Sequence, residues 1–146
     1  MLLSKEVAVQ LNLASCHFKQ FYAMQLRNKG IDLTPEQLLV LDMLWNEGEM
    51  SQQKIADSIG KDKNSVTKLV DALEKKGMVI RRRDSSDKRS NTIILTQKAE
   101  SIKSATKEFG IAMLDVILKG ISEEDLQILI RTLSRMSDNM DRLPAL

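Results

Sequence analysis

Residues Ser51 to Thr96 read SQQKIADSIGKDKNSVTKLVDALEKKGMVIRRRDSSDKRSNTIILT, and the rest of the chain is arranged around this stretch. Ser51 is a good N-cap for a first short helix whose inward residues are Ile55, Ala56 and Ile59, and Gly60 closes it. A second helix starts near Asp62 and places Val66, Leu69, Val70 and Leu73 on one face at the i, i+3, i+4, i+7 spacing, until Gly77 stops it. Ala56, Gly60, Val66 and Leu69 fall where a helix-turn-helix needs a small crossing residue, a turn glycine and core anchors.

With that face buried, Asn64, Thr67, Lys68, Asp71 and Lys75 point outward, with Lys61, Lys63 and Ser65 at the helix start. Asn pairs bidentately with adenine, Lys bonds guanine or phosphate, and Ser or Thr takes either, which suits this face to a DNA major groove. An ordinary solvated polar face is the bland alternative. Two β-prone runs follow, 78–83 and 91–96, with Asp84, Ser85, Ser86 and Asp87 as turn chemistry between them. Arg81, Arg82 and Arg83 climb to the tip, and Lys88 and Arg89 descend from it. A positive loop beside a helix-turn-helix can enter the minor groove, where Arg responds to groove width; Arg89 is the first choice for insertion, with Asp87 as the partner that fixes its direction.

The segment Leu33 to Thr96, LTPEQLLVLDMLWNEGEMSQQKIADSIGKDKNSVTKLVDALEKKGMVIRRRDSSDKRSNTIILT, resembles the multiple-antibiotic-resistance regulator (MarR) family of winged helix-turn-helix regulators. Asp87-Lys88-Arg89-Ser90 matches that family's D-x-R wing signature, and LEKKGMVIRRRDSSD and ILT flank it. The resemblance implies a mainly α fold with a small β-hairpin wing, in which a winged helix-turn-helix core carries N- and C-terminal dimerisation helices. It implies one domain over 1–146, with 31–96 binding DNA and 1–30 and 97–146 forming the helical dimerisation region. The expected function is a dimeric transcription factor, often a repressor released by a small-molecule effector or by oxidation, on a pseudo-palindromic operator. The expected DNA-binding residues are Lys61, Lys63, Asn64, Ser65, Thr67 and Lys68 on the recognition helix, Ser51, Gln52 and Gln53 on the first helix of the pair, and Arg81, Arg82, Arg83, Asp87, Lys88 and Arg89 on the wing.

The net charge of +2 over 146 residues would not by itself suggest nucleic acid. Its distribution does, because residues 51–91 hold 11 Lys and Arg against 6 Asp and Glu, leaving the remainder of the chain at −3. No apolar run approaches the roughly 18 residues of a membrane span, and the start of the chain lacks a signal peptide's pattern. A cytoplasmic protein without membrane contact is expected.

Outside the central stretch, residues 4–28 read as a helix with apolar stripes that include Val7, Leu11, Ala14, Phe18 and Tyr22, ended by Lys29-Gly30. Thr34 caps a helix with Pro35 at its first position, mostly buried through Leu38, Leu39, Leu41, Met43, Leu44 and Trp45. Thr96 caps one long helix with Ile102, Ala105, Phe109, Met113, Val116 and Ile117 on its stripe, broken at Gly120. Ser122 and Asp125 start a last helix with Leu126, Leu129, Ile130, Leu133, Met136 and Met140. Two chains sharing these stripes would account for the apolar surplus, with twofold symmetry placing two recognition helices one DNA turn apart. Val7, Leu11, Phe18, Phe109, Met113, Leu126, Leu129, Leu133 and Met136 are the expected dimer interface; a monomer with a larger core is the alternative.

Cys16 and His17 are the chain's one cysteine and one histidine. Adjacent on a helix, they point about 100° apart and make poor partners for one metal, so no metal or cofactor is expected. A redox role for Cys16 is open, but a buried packing cysteine is preferred. No nucleophile–base pair and no phosphate loop can be assembled, so an enzyme is not expected. A winged-helix protein-interaction module remains the alternative to a DNA-binding regulator.

Overall fold

The computed structural model describes residues 2–84 and 87–145, with the side chains of 84 and 87–90 left aside. Its elements are α1 (Leu3–Asn28), α2 (Pro35–Glu47), β1 (Met50–Ser51), α3 (Gln52–Ile59), α4 (Lys63–Lys75), β2 (Val79–Asp84), β3 (Asp87–Leu95), α5 (Gln97–Ser101), α6 (Lys103–Ile117) and α7 (Glu123–Arg142). The chain divides into two compact units, Met1–Lys107 and Glu108–Leu146.

The first unit is built on capped helices. Thr34 accepts from the backbone N–H of Gln37, and the Gln37 side chain accepts from that of Thr34, a reciprocal capping box reinforced by Pro35. Ser51, Asp62 and Thr96 cap α3, α4 and α5 from one side only, each side chain accepting a backbone N–H of the first turn. Gly30 ends α1 at φ +70°, letting the Ile31 N–H reach back to the Leu26 carbonyl at 2.9 Å. Thr34→Ala removes one side of the box and is expected to cost about 1 kcal/mol, read as a lower urea midpoint with unchanged slope; Thr34→Ser should keep most of it.

The core of this unit joins Val40, Leu41 and Leu44 of α2, Ile55 of α3, Val66, Val70 and Leu73 of α4, and Val79 and Ile93 of the sheet, all fully buried. Within α2 the burial differs from expectation: Leu39 is 46% exposed and Met43 half-buried, whereas Val40 and Gln37 are buried. The inward face of α2 centres on Val40, Leu41 and Leu44, and Leu39 falls on its flank. Ile59 and Leu69, expected inward, are half-buried at the edges of their helices.

The sheet has three antiparallel strands in the order β1-β3-β2, with Met50 opposite Ile93 and Val79 opposite Leu95. Two features correct the sequence reading. The short strand β1 was not expected, and β3 begins at Asp87 rather than at Asn91. The ladder runs on because its register shifts between Arg83 and Asp84, so that Asp84 pairs with Asp87. Ser85 and Ser86 of the expected turn lie outside the described residues.

The expected long helix after the wing is also two. Thr96 caps the five-residue α5, Ile102 has φ −97° and ψ −2°, and α6 starts afresh at Lys103. The break shifts the buried face, so Thr106 is buried and Ala105 exposed. In the second unit the end of α6 carries buried Met113 and exposed Val116. Gly120 turns at φ +83°, and Ser122 accepts from the Asp125 N–H to cap α7, which buries no residue of its own.

Candidate nucleic-acid interface

The first turn of α4 is fixed by Asp62, which accepts from the backbone N–H of Ser65 at 2.7 Å and from its hydroxyl at 3.1 Å. The Ser65 backbone bond, then its hydroxyl, hold the Asp62 carboxyl below the usual carboxylate range. Its folded pKa is therefore the lower one: the cap's contribution is present above the ordinary carboxylate range and fades as pH falls through the depressed value. Asp62→Asn should keep the cap and flatten the acid limb of a stability–pH profile; an unchanged acid limb would refute this assignment.

From that turn, Lys63, Asn64 and Lys68 stand exposed, and among the described residues none of their side chains has a hydrogen-bonding or ionic partner. The other expected readers are engaged. Thr67 donates to the Lys63 carbonyl and accepts from Gln52 at 2.7 Å, Gln53 donates to Asp57, and Lys61 lies 3.6 Å from Glu36. Ser51 accepts from the Lys54 N–H as the cap of α3.

The wing arginines separate by strand parity. Side chains alternate along β2, so Arg81 shares the face of buried Val79 while Arg82 shares that of exposed Ile80. Arg81 thus turns toward the helices, 20% exposed, and lies 2.6 Å from Asp71 and 3.3 Å from Glu74. Arg82 turns away and meets Glu49 at 3.0 Å, and Arg83 is exposed. The backbone of Asp87, Lys88 and Arg89 belongs to β3, but the expected Asp87–Arg89 pairing and the aim of Lys88 and Arg89 fall outside the described side chains.

Behind this face, Lys76 at the C-cap of α4 donates to the Asp32 carbonyl at 2.9 Å and to Gln37 at 2.8 Å. Nothing in the sequence marked Gln37 as buried, but its place three residues after a capping Thr signals the role.

A basic helix face backed by a tethered three-stranded wing is the winged helix-turn-helix arrangement. Residues 33–90 match the MarR family. The chain carries a MarR-family domain. Beyond the matched residues, the fold of a MarR/EmrR family transcriptional regulator from Acinetobacter sp. ADP1 aligns with a TM-score of 0.85 at 22% identity, covering 98% of this chain and 100% of that one. Reduced AbfR bound to DNA aligns at 25% identity and TM-score 0.76, covering 94% of this chain and 93% of that one. Overoxidized AbfR bound to DNA aligns at 28% identity and TM-score 0.73, covering 92% and 94%.

The matched residues 33–90 lie between helices whose apolar residues are uncovered in the single chain. Val7, Leu11 and Phe18 of α1 and Leu129 and Leu133 of α7 are exposed, while Phe109, Leu126 and Met136 are half-buried. Met113, expected among them, is buried within the chain and so is less available to a second copy. Cys16 is exposed, against the expectation of a packing cysteine, because Leu26 is the one buried residue of α1 among those described. Phe18 and Tyr22 pack with their rings tilted by 54° and centroids 5.8 Å apart, and burial, then Asp42, raises the Tyr22 pKa. Among the described residues no His, Cys, Asp and Glu cluster is arranged to hold a metal, and no helix is long and apolar enough to cross a membrane.

Proposed function

We propose that this protein is a cytoplasmic, dimeric, sequence-specific transcriptional regulator, most simply a repressor, that reads a pseudo-palindromic duplex with α4 in the major groove and the wing in the minor groove. The observation that carries this reading is the exposed, uncommitted trio Lys63, Asn64 and Lys68 beside an arginine-rich wing. The DNA-bound state of AbfR supports it. Residues 31–96 form the DNA-binding region in this reading, and 1–30 and 97–146 the dimerisation region, where the uncovered faces of α1 and α7 meet a second copy.

Base reading falls to Asn64 and Lys68, phosphate contact to Lys63, Arg82, Arg83, Lys88 and minor-groove Arg89; Lys61, Ser51, Gln52, Gln53, Ser65, Thr67 and Arg81 shape and support that surface. Asn64→Ala and Lys68→Ala should each cost about 1–3 kcal/mol of operator binding and relax base preference at one position. Arg89→Ala should weaken binding with thermal stability unchanged. Full base preference in both α4 variants would overturn the docking. Release by a small effector belongs to the same reading; among the described residues the buried indole N–H of Trp45 has no acceptor, which makes it a group to follow in an effector titration.

A thiol-sensing variant of this function has its own support, since Cys16 is exposed and AbfR has been solved in reduced and overoxidized forms. Peroxide should then lower DNA affinity in the wild type and leave Cys16→Ser unaffected; equal responses would exclude it.

A further inference from the structure

Arg81 sits at the base of the wing with partners on two elements, α3 and α4. Its Nε–H donates to Gln52 Oε1 at the start of α3 at 3.4 Å, its Nη2 donates to the Thr67 carbonyl of α4 at 3.3 Å, and its guanidinium also meets Asp71 and Glu74. Its backbone N–H donates to Glu74 Oε2 at 3.3 Å. Gln52 Nε2 passes the chain on to Thr67 Oγ1 at 2.7 Å, and Thr67 Oγ1 donates to the Lys63 carbonyl at 2.9 Å.

This chain of hydrogen bonds has one direction. A guanidinium can only donate and a carbonyl can only accept, so the two ends fix how the Gln52 amide and the Thr67 hydroxyl are oriented between them. It runs from the wing strand, through α3, to the first turn of α4 where Lys63 and Asn64 stand. Arg81 is pre-organised for such multiple contacts by its planar fork, which a Lys point charge could not span.

We propose that Arg81 is a positioning residue that sets the wing against the recognition helix through Asp71, Glu74, Gln52 and Thr67, rather than a DNA contact. The inference rests on the DNA-binding reading. Its function is to hold the basic wing and the base-reading trio at one spacing, so that both can engage a duplex together.

The test compares a duplex selected by the wild type from a random pool with a scrambled duplex of equal length. The decisive variant is Asp71→Asn with Glu74→Gln, which removes negative charge from the DNA side of α4. Simple electrostatics makes it bind both duplexes more tightly. Loss of positioning instead lowers affinity for the selected duplex about tenfold, the equivalent of about 1.4 kcal/mol, with scrambled binding unchanged or tighter. Arg81→Met should lower the same ratio without changing the salt slope, and adding Arg81→Met to the carboxylate variant should cost nothing further.

If Arg81 touches phosphate, Arg81→Met weakens both duplexes alike and lowers the salt slope by about 0.9, which overturns the proposal. If it only stabilises the fold, melting temperature falls while the selected-to-scrambled ratio stays constant well below melting, which also overturns it. A wild type that enriches no duplex withdraws the DNA reading itself and this inference with it, and is recognised before any variant is made.

Discussion

Leu129→Asp is expected to split the proposed dimer and lower operator affinity by two orders of magnitude or more. Leu129 is 50% exposed in the single chain, on a helix that buries none of its residues, so the protomer loses little when it is changed. The dimer loses much. A carboxylate placed in an apolar interface has no partner for its charge, and the penalty is several kcal/mol per ion at each of the symmetric positions. Once the copies separate, two half-sites are no longer bound as one event, and the gain from effective concentration, about 10²–10⁴, is forfeited. Sedimentation equilibrium reads the first effect and duplex titration the second. A variant that remains dimeric and keeps its operator affinity would place the interface elsewhere.

Leu73→Ala is expected to cost about 2–5 kcal/mol of folding stability. Leu73 is fully buried on α4, on the face away from exposed Lys68, so truncation leaves a cavity between the helix and the core behind it. For a domain of this size that is a large part of a net stability of about 5–15 kcal/mol. Urea denaturation would show a lower midpoint with the slope retained. Lys68→Ala, five residues earlier and exposed, should leave the midpoint in place and change binding alone. The pair separates the two faces of one helix, and a shared stability loss would mean that the faces have been misassigned.

Much of this was legible in the chain because the signals were local. The caps Thr34, Ser51, Asp62, Thr96 and Ser122 carry hydroxyl or carboxylate side chains at the residue before five of the helices, and the structure uses each of them. The glycines at 30 and 60 stand where the chain turns at positive φ. Periodicity found Val66, Val70 and Leu73 for the same reason: one helix face makes one stripe.

What escaped depended on tertiary partners. The two residues of β1 are too short to carry a pattern and become a strand only because Met50 lies beside Ile93. The break at Ile102 carries no glycine or proline to announce it. Arg81 was grouped with its neighbours by composition, although strand parity with Val79 would have turned it inward. The exposure of Cys16 follows from how little of α1 the single chain covers, which no local pattern records.

The most direct measurement is selection of bound duplexes from a random pool by the purified protein at near-physiological salt. The expected result is an enriched inverted repeat with half-sites about 10 bp apart, one turn of DNA, as a symmetric pair of recognition helices requires. A folded protein that enriches no sequence, with either reduced or oxidised Cys16, would contradict sequence-specific regulation and leave the winged helix as a surface for a protein partner.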